Sequence, residues 1–290
     1  MTMINVDRIL KKIDRIPAFP ATVRKVWDVM KDPDYSMNEL VTVIEYDQAI
    51  TANILKMSNS AYFGVRRKVS NVRDAVIYLG QANIARVVTA AGITRFYKDV
   101  KGYRLTAKAL WEHSVAVALM SKILADRVYG REEPMLFTAG LIHDMGKIIL
   151  GEFVFDSMQE IMNLVSHQNY SFLEAEEEVL GTNHAEIGGR VASNWNFPQE
   201  IVDAITYHHR PDLMAEGDSA NAWILYLADQ ACMMMGLTGG MDELSYRGLG
   251  MIMSKFSIGH REFEEKIVSL FEDLANAREL INLVDATREK

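Results

Sequence analysis

Cysteine is nearly missing from this chain: 290 residues contain one, Cys232. No intramolecular disulfide can form, and a lone thiol fits a reducing compartment. Long apolar runs are also missing. No segment approaches the roughly 18 uninterrupted apolar residues of a membrane span. The N-terminal "MTMINVDRILKKIDRIP" carries charges every few residues and no apolar h-region, so it does not read as a secretory signal. A cytoplasmic protein that engages no membrane is expected. A basic surplus is lacking too: 31 Lys and Arg stand against 39 Asp and Glu, a net charge of −8. That balance argues against a nucleic-acid-binding face. The one basic run, "VRRKV" at Val65–Val69, is short and reads as a solvated loop. There is no Gly-rich phosphate loop of the Walker or Rossmann type, no fixed-period repeat, no low-complexity tract and no useful length of strand-like alternation.

What is present is helical periodicity along almost the whole chain, so the expected fold class is all-α. Val6–Ile13 and Ala21–Met30 read as helices separated by the prolines of "IPAFP". Ser36 with Glu39 offers a capping box for a helix ending near Tyr46. Gln48–Met57 continues into the loop "SNSAYFG". Ser70 is placed to cap a helix over Asn71–Leu79 that stops at Gly80, and Gln81–Tyr97 follows. After the polar joint "KDVKGYRL" come Thr106–Tyr129, Pro134–Ile149, Phe153–Asn169, a helix opened by Asn183 with Glu186, one from Pro198 to His209, and Ala220–Met235. The tail, about Met241–Thr287, reads as two or three amphipathic helices. The expected organisation is an N-terminal helical half over 1–100, a second half over 101–235 and a helical extension over 236–290.

The stretch "AGLIHDMGKIIL", Ala139–Leu150, is an apolar helical segment interrupted by His143, Asp144 and Lys147. Charged groups inside an apolar segment cost several kcal/mol unless something compensates them. Of seven histidines, His167 and His260 lie in polar surroundings. The other five, His113, His143, His184, His208 and His209, have apolar helical neighbours. Asp144 and Asp229 also sit inside apolar helices. Five imidazoles and two carboxylates suit two adjacent divalent ions such as Fe, Mn, Zn or Ni. A divalent cation compensates several such groups at once, and a carboxylate can bridge two ions that hold a hydroxide between them for attack on phosphorus. Lys147 falls on the face of His143 and Asp144. It can neutralise a phosphate oxygen or stabilise developing charge, or it can be a helix-end lysine reaching solvent. Other eye-catching stretches have plainer readings: "CMMM" at Cys232–Met235 as core filler, and "EAEEEV" at Glu174–Val179 as a solvated helix face.

These residues resemble a known superfamily. His113, His143-Asp144 and Asp229 match the H…HD…D pattern of HD-domain metal-dependent phosphohydrolases. "HDMGK" is close to the HDIGK of the HD-GYP branch, whose members hydrolyse cyclic di-GMP, and His184, His208 and His209 match that branch's additional histidines. The "GYP" element itself is absent, the chain reading "HHRPDLMAEGDS", and Ala109 stands where some members carry a glutamate ligand. The stretch from "IPAFP" through "NSAYFG" to "VSNVRDAVIYLGQANIARVV" is similar to the HDOD domain, and the likeness runs from about Ile16 to about Gln230. The resemblance implies an HD-like helical bundle. It places His113, His143, Asp144 and Asp229 on one ion and His184, His208 and His209 on a second, with Asp144 bridging.

Two readings remain open at this point. One is an HDOD-type bacterial signalling module that binds metal and acts through a protein partner or a nucleotide ligand. The other is a metal-dependent phosphohydrolase or phosphodiesterase on a nucleotide or cyclic dinucleotide, with Asp144 and Lys147 catalytic. An iron-dependent oxygenase is a third class that no residue here selects. Closure of the site by Trp111, Trp195 or Trp223 would favour the module. An open pocket lined by Lys147 and Arg210 would favour hydrolysis.

Overall fold

The computed structural model describes residues 6–32, 34–64, 68–131, 133–215, 219–238, 240, 253–277 and 281–282. These residues are helical, with no named strand among them; Val100 and Leu105 form an isolated bridge. The all-α expectation holds, and the helices form the HD-like bundle with an N-terminal helical subdomain. Two compact units emerge. One comprises Met1–Pro17 with Tyr97–Leu270, and the other Ala18–Phe96 with Phe271–Lys290. The first helix, α1 (Val6–Ile13), therefore belongs with the later part of the chain.

The Ala18–Phe96 unit is built from α2 (Ala21–Lys31), α3 (Met37–Glu45), α4 (Gln48–Ser58) and α5 (Val72–Ile93). Side-chain caps set its helix starts. Ser36 accepts from the Glu39 amide and Asp47 from those of Ala49 and Ile50. The cap of α5 is Asn71, one residue beyond the expected Ser70: its side chain accepts from the Asp74 amide. Gly80 breaks α5 where a stop was expected, with φ at 73°, a conformation that favours glycine. Asn59 of "SNSAYFG" explains that motif. Its amide donates to the Val69 carbonyl (2.8 Å) and its oxygen accepts from the Val69 amide (2.9 Å), so one side chain pins both ends of the loop. The first three residues of the basic run at 65–69 lie outside the described residues, as do 241–252 of the tail. The stretch Val72–Phe96 is long and apolar enough to cross a membrane; an 18-residue window within it has mean hydropathy 1.3, and 67% of that window is buried in the fold.

The other unit continues with α6 (Ala107–Tyr129), α7 (Pro134–Ile142), α8 (Met145–Asp156), α9 (Met158–Gln168), α10 (Phe172–Leu180), α11 (His184–Asn194), α12 (Gln199–Thr206), α13 (Ala220–Met234) and α14 (His260–Asn276), whose last turns run past Leu270. Helix α6 is central. Leu110, Trp111, Val115, Val117, Leu119 and Leu124 are all fully buried, and α7 and α13 pack on it. The expected single helix over Pro134–Ile149 is in fact two. It breaks at His143-Asp144, and α8 starts only at Met145. The expected Phe153–Asn169 helix likewise divides at Ser157. Apolar periodicity runs through both breaks, which is why the sequence pattern does not register them.

Two glycine contacts set how closely the site-bearing helices approach. A Cβ on Gly140 would lie 2.6 Å from Ala118 Cα, so α7 meets α6 backbone to backbone. A Cβ on Gly146 would lie 1.9 Å from the His184 carbonyl oxygen, so α8 starts directly against α11. The first contact fixes the approach beside His113 and His143, and the second the approach of Asp144 and His184.

Candidate metal centre

Each of the seven expected ligands comes from a defined place in this frame. His113 lies in the middle of α6. His143 and Asp144 occupy the α7–α8 break. His184 is the first residue of α11, His208 and His209 follow the end of α12, and Asp229 lies in α13. A break rather than a continuous helix turns His143 and Asp144 inward together. The structure brings all seven into one cluster, each no more than 7% exposed. His167, near the end of α9, and His260, at the start of α14, are exposed and stay outside it.

The ring orientations are set from behind. His113 Nδ1 lies 2.9 Å from the Leu237 carbonyl, His143 Nδ1 2.8 Å from that of Gly140, and His208 Nδ1 2.6 Å from that of Ile205. An acceptor at Nδ1 holds the proton there and leaves Nε2 as a lone pair facing inward. The inward atoms converge. His113 Nε2 is 3.1 Å from Asp229 Oδ1 and 3.6 Å from Asp144 Oδ2, and His143 Nε2 is 3.4 Å from the same Asp144 oxygen. His184 Nε2 lies 3.8 Å from Asp144 Oδ1 and 2.7 Å from His209 Nε2. Asp144 thus turns one oxygen toward each set of histidines.

Among the described residues, three trios have ligand atoms within 4.8 Å of one another: His184, His208 and His209; His113, His143 and Asp144; and His143, His208 and Asp229. His143 Nε2, His208 Nε2 and Asp144 Oδ1 are buried with no hydrogen-bond partner. Buried acceptors facing one another without donors are costly. A divalent cation satisfies them together, and imidazole with carboxylate is the donor set of a first-row transition metal. The residues fit such an ion.

The electrostatics agree. Burial opposes charge on Asp144, but its electrostatic interactions with His143, the Lys147 ammonium, His113 and His184 outweigh it and hold its carboxyl far below the usual range. Asp229 is lowered likewise: burial opposes, and the hydrogen bond and charge of His113 win. Burial, then His143 and His184, pushes His208 down to about 3. Burial, then His208, puts His209 well below its ordinary value. Burial also lowers His143. His113 is the exception: burial lowers it, but Asp229 raises it further. A proton or a metal cation between His113 Nε2 and Asp229 satisfies both atoms.

Lys147 is fully buried, with Nζ 2.7 Å from Asp144 Oδ2 and 5.7 Å from the Tyr103 ring centroid. It is therefore not a lysine reaching solvent. Arg210 stands apart: its guanidinium bonds Glu177, which also accepts from Asn183. Trp111 is fully buried against Tyr97, Trp195 donates to the Pro17 carbonyl, and Trp223 lies under Lys255.

Sequence reasoning missed Glu176. The solvated face expected for Glu174–Val179 is corrected here, because Glu176 is fully buried. Its Oε2 lies 2.8 Å from His184 Nδ1 and accepts from the His184 amide (3.0 Å), and its Oε1 accepts from the Tyr103 hydroxyl. The signal was available: Phe172, Glu176 and Leu180 are spaced by four, so the glutamate sits within the apolar stripe of α10.

The HDOD domain family matches residues 16–211. A crystal structure of an HDOD domain protein of unknown function from Geobacter sulfurreducens is 25% identical, with a TM-score of 0.71 over 98% of this chain and 99% of that one. A protein of uncharacterized function from Treponema pallidum is 23% identical over 205 residues, 69% of this chain. Ribonuclease Y of Deinococcus radiodurans is 33% identical over 101 residues, 35% of this chain. The chain spans 39% of the Treponema protein's length and 13% of the ribonuclease's.

Proposed function

The chain belongs to the HDOD domain family, and from that membership we propose a bacterial signalling module whose Tyr97–Leu270 part holds two divalent transition-metal ions and acts through a protein partner. His113, His143, Asp144 and Asp229 would hold one ion and His184, His208 and His209 the other, with Asp144 shared. The carrying observation is the convergence of inward-facing Nε2 atoms on a two-faced carboxylate, with several buried acceptors lacking donors. The signalling reading rests on enclosure. Every ligand and Lys147 is no more than 7% exposed, and Arg210 is engaged by Glu177. The ligands come from α6, the α7–α8 break, α11, the end of α12 and α13, so bound ions would tie these elements together and their loss would loosen them together.

A second reading, hydrolysis of a nucleotide phosphodiester, is favoured by one observation: a buried lysine ammonium on the shared carboxylate. The partial likeness to ribonuclease Y points the same way. Divalent cations held by these histidines and aspartates would supply a hydroxide nucleophile and charge neutralisation at phosphorus. Lys147 would meet charge developing on a phosphate oxygen, and Asp144 would keep that lysine in place.

Elemental analysis of the purified protein beside Asp144→Ala tests both. Two transition-metal ions per chain, lost in the variant, support the metal centre, and a metal-free protein after anaerobic reconstitution sinks it. Turnover of bis(p-nitrophenyl) phosphate or a cyclic dinucleotide that disappears in Lys147→Ala, with metal retained, would replace the signalling reading by the hydrolytic one.

A further inference from the structure

The five histidines are not held alike. His113, His143 and His208 each have a backbone carbonyl at Nδ1. His184 instead has the Glu176 carboxylate, and that carboxylate is itself fixed. Oε2 takes both the ring and the backbone amide of His184, and Oε1 takes the Tyr103 hydroxyl. Glu176 and Tyr103 are fully buried, so both hold single geometries. The backbone contact explains why the arrangement is rigid: the amide Glu176 accepts belongs to the first residue of α11, so one side chain both caps the helix and aims its first side chain.

The asymmetry falls on the group that needs it. Asp229 and Asp144 Oδ2 lie with His113 and His143, whereas the trio His184, His208 and His209 shares Asp144 through its other oxygen, Oδ1, 3.8 Å from His184 Nε2. The trio therefore brings one shared carboxylate to its dication where the first set brings two, so its hold depends more on the donor strength of its imidazoles. A carboxylate draws the Nδ1 proton of an imidazole harder than a peptide carbonyl does, and so makes Nε2 a stronger donor.

We infer that Glu176, held by Tyr103, is the positioning residue for the ion at the His184–His208–His209 trio, a residue on which the ion at His113, His143 and Asp229 does not depend, although both ions share Asp144. The inference rests on the two-ion reading and adds to it an unequal dependence of the two ions on residues behind the ligands. Loss of an outer carboxylate of this kind typically weakens metal binding 10–100-fold. Here the loss falls on one equivalent.

The experiment is titration of the full chain, stripped with chelator, with cobalt(II), followed by visible absorption and by retained metal after desalting. Wild type should take two equivalents with separable absorption changes. Glu176→Gln, an uncharged isostere, should keep the first equivalent and its spectrum, weaken the second 10–100-fold and alter the second's spectrum alone. Glu176→Asp keeps the carboxylate but withdraws it by one methylene, and should fall between the two. Should Glu176→Gln not fold, Glu176→Asp decides alone, a second equivalent at wild-type affinity overturning the inference. Equal weakening of both equivalents, or none, in Glu176→Gln also overturns it. A wild-type protein that takes fewer than two equivalents instead defeats the two-ion reading itself, so the two failures are distinct.

Discussion

Replacing Lys147 with methionine should make the protein less stable without metal and yet bind metal more tightly. Lys147 is fully buried and its ammonium lies 2.7 Å from Asp144 Oδ2. Removing one member of a buried ion pair costs about 3–5 kcal/mol, because the other is left uncompensated. His113, whose imidazole Asp229 holds toward the protonated form, lies 3.6 Å from the same oxygen and takes part of the load, so the lower end, about 3 kcal/mol, applies in chelator. With a divalent cation bound, the carboxylate has its countercharge. What remains is the exchange of one long side chain for another of similar volume, about 1 kcal/mol. The difference of about 2 kcal/mol must reappear as metal affinity, roughly 30-fold tighter in the variant. Urea unfolding, with and without saturating metal, gives the first pair of numbers, read on Trp111, Trp195 and Trp223, which all lie in the unit that carries the site. Competition with a chromophoric chelator gives the affinity. An equal loss of stability with and without metal, or weaker binding in the variant, would refute the argument that ammonium and metal serve the same carboxylate.

Other perturbations are expected to act through particular contacts. Gly146→Ala places a methyl 1.9 Å from the His184 carbonyl oxygen; overpacking costs about 1–3 kcal/mol or more, and the separation of α8 from α11 should lower metal content. Gly259→Ala, with nothing within 4 Å, should do neither, and thermal melts with elemental analysis compare the two. Acid should destabilise the metal-free protein. His208 is held down near 3 while an unfolded histidine titrates near 6.5, so between those values the unfolded chain binds the extra proton. Stability then falls as pH drops through that window, by up to ~1.4 kcal/mol per pH unit from this group. Urea midpoints in chelator at pH 7, 6 and 5 check it, and a flat profile would contradict the burial of a neutral imidazole. Tyr97→Phe deletes a hydroxyl that donates to the Leu141 carbonyl and meets Ser114, all buried; a loss of ~1–2 kcal/mol is expected by denaturant unfolding. His167→Ala and His260→Ala should leave metal content unchanged.

Much of this architecture is written in local pattern, and the departures have local causes. Caps read from Ser36 and Asn183, and the stop at Gly80, depend on residues within one turn of the helix end, so the sequence displays them. The break at His143-Asp144 is different. Its neighbours are apolar on all sides, so periodicity runs on while the backbone turns to aim two polar side chains at groups from other helices. Glu176 was hidden by its neighbours: in "EAEEEV" the solvent-facing glutamates disguise the one that shares a stripe with Phe172 and Leu180. The ligands themselves were legible because a charged or imidazole side chain in an apolar segment is conspicuous. Their second contacts were not, because Leu237, Gly140 and Ile205 contribute only backbone carbonyls, which no residue type announces.

The membership of Met1–Pro17 in the later unit has a consequence for how the protein is made. Helix α1 packs on α8 and α11, and Trp195 donates to the carbonyl of Pro17, 178 residues earlier. A ribosome adding about 5–20 residues per second needs on the order of 10–35 s to supply that partner. For that interval the first helix has left the ribosome and its docking surface has not. The intervening Ala18–Phe96 segment, whose helix contacts are local, is free to fold first. The site-bearing unit then closes late around a piece of chain that was synthesised before Ala18–Phe96 and before the rest of its own unit, so a fragment beginning at residue 97 would lack a helix its own core was built to receive.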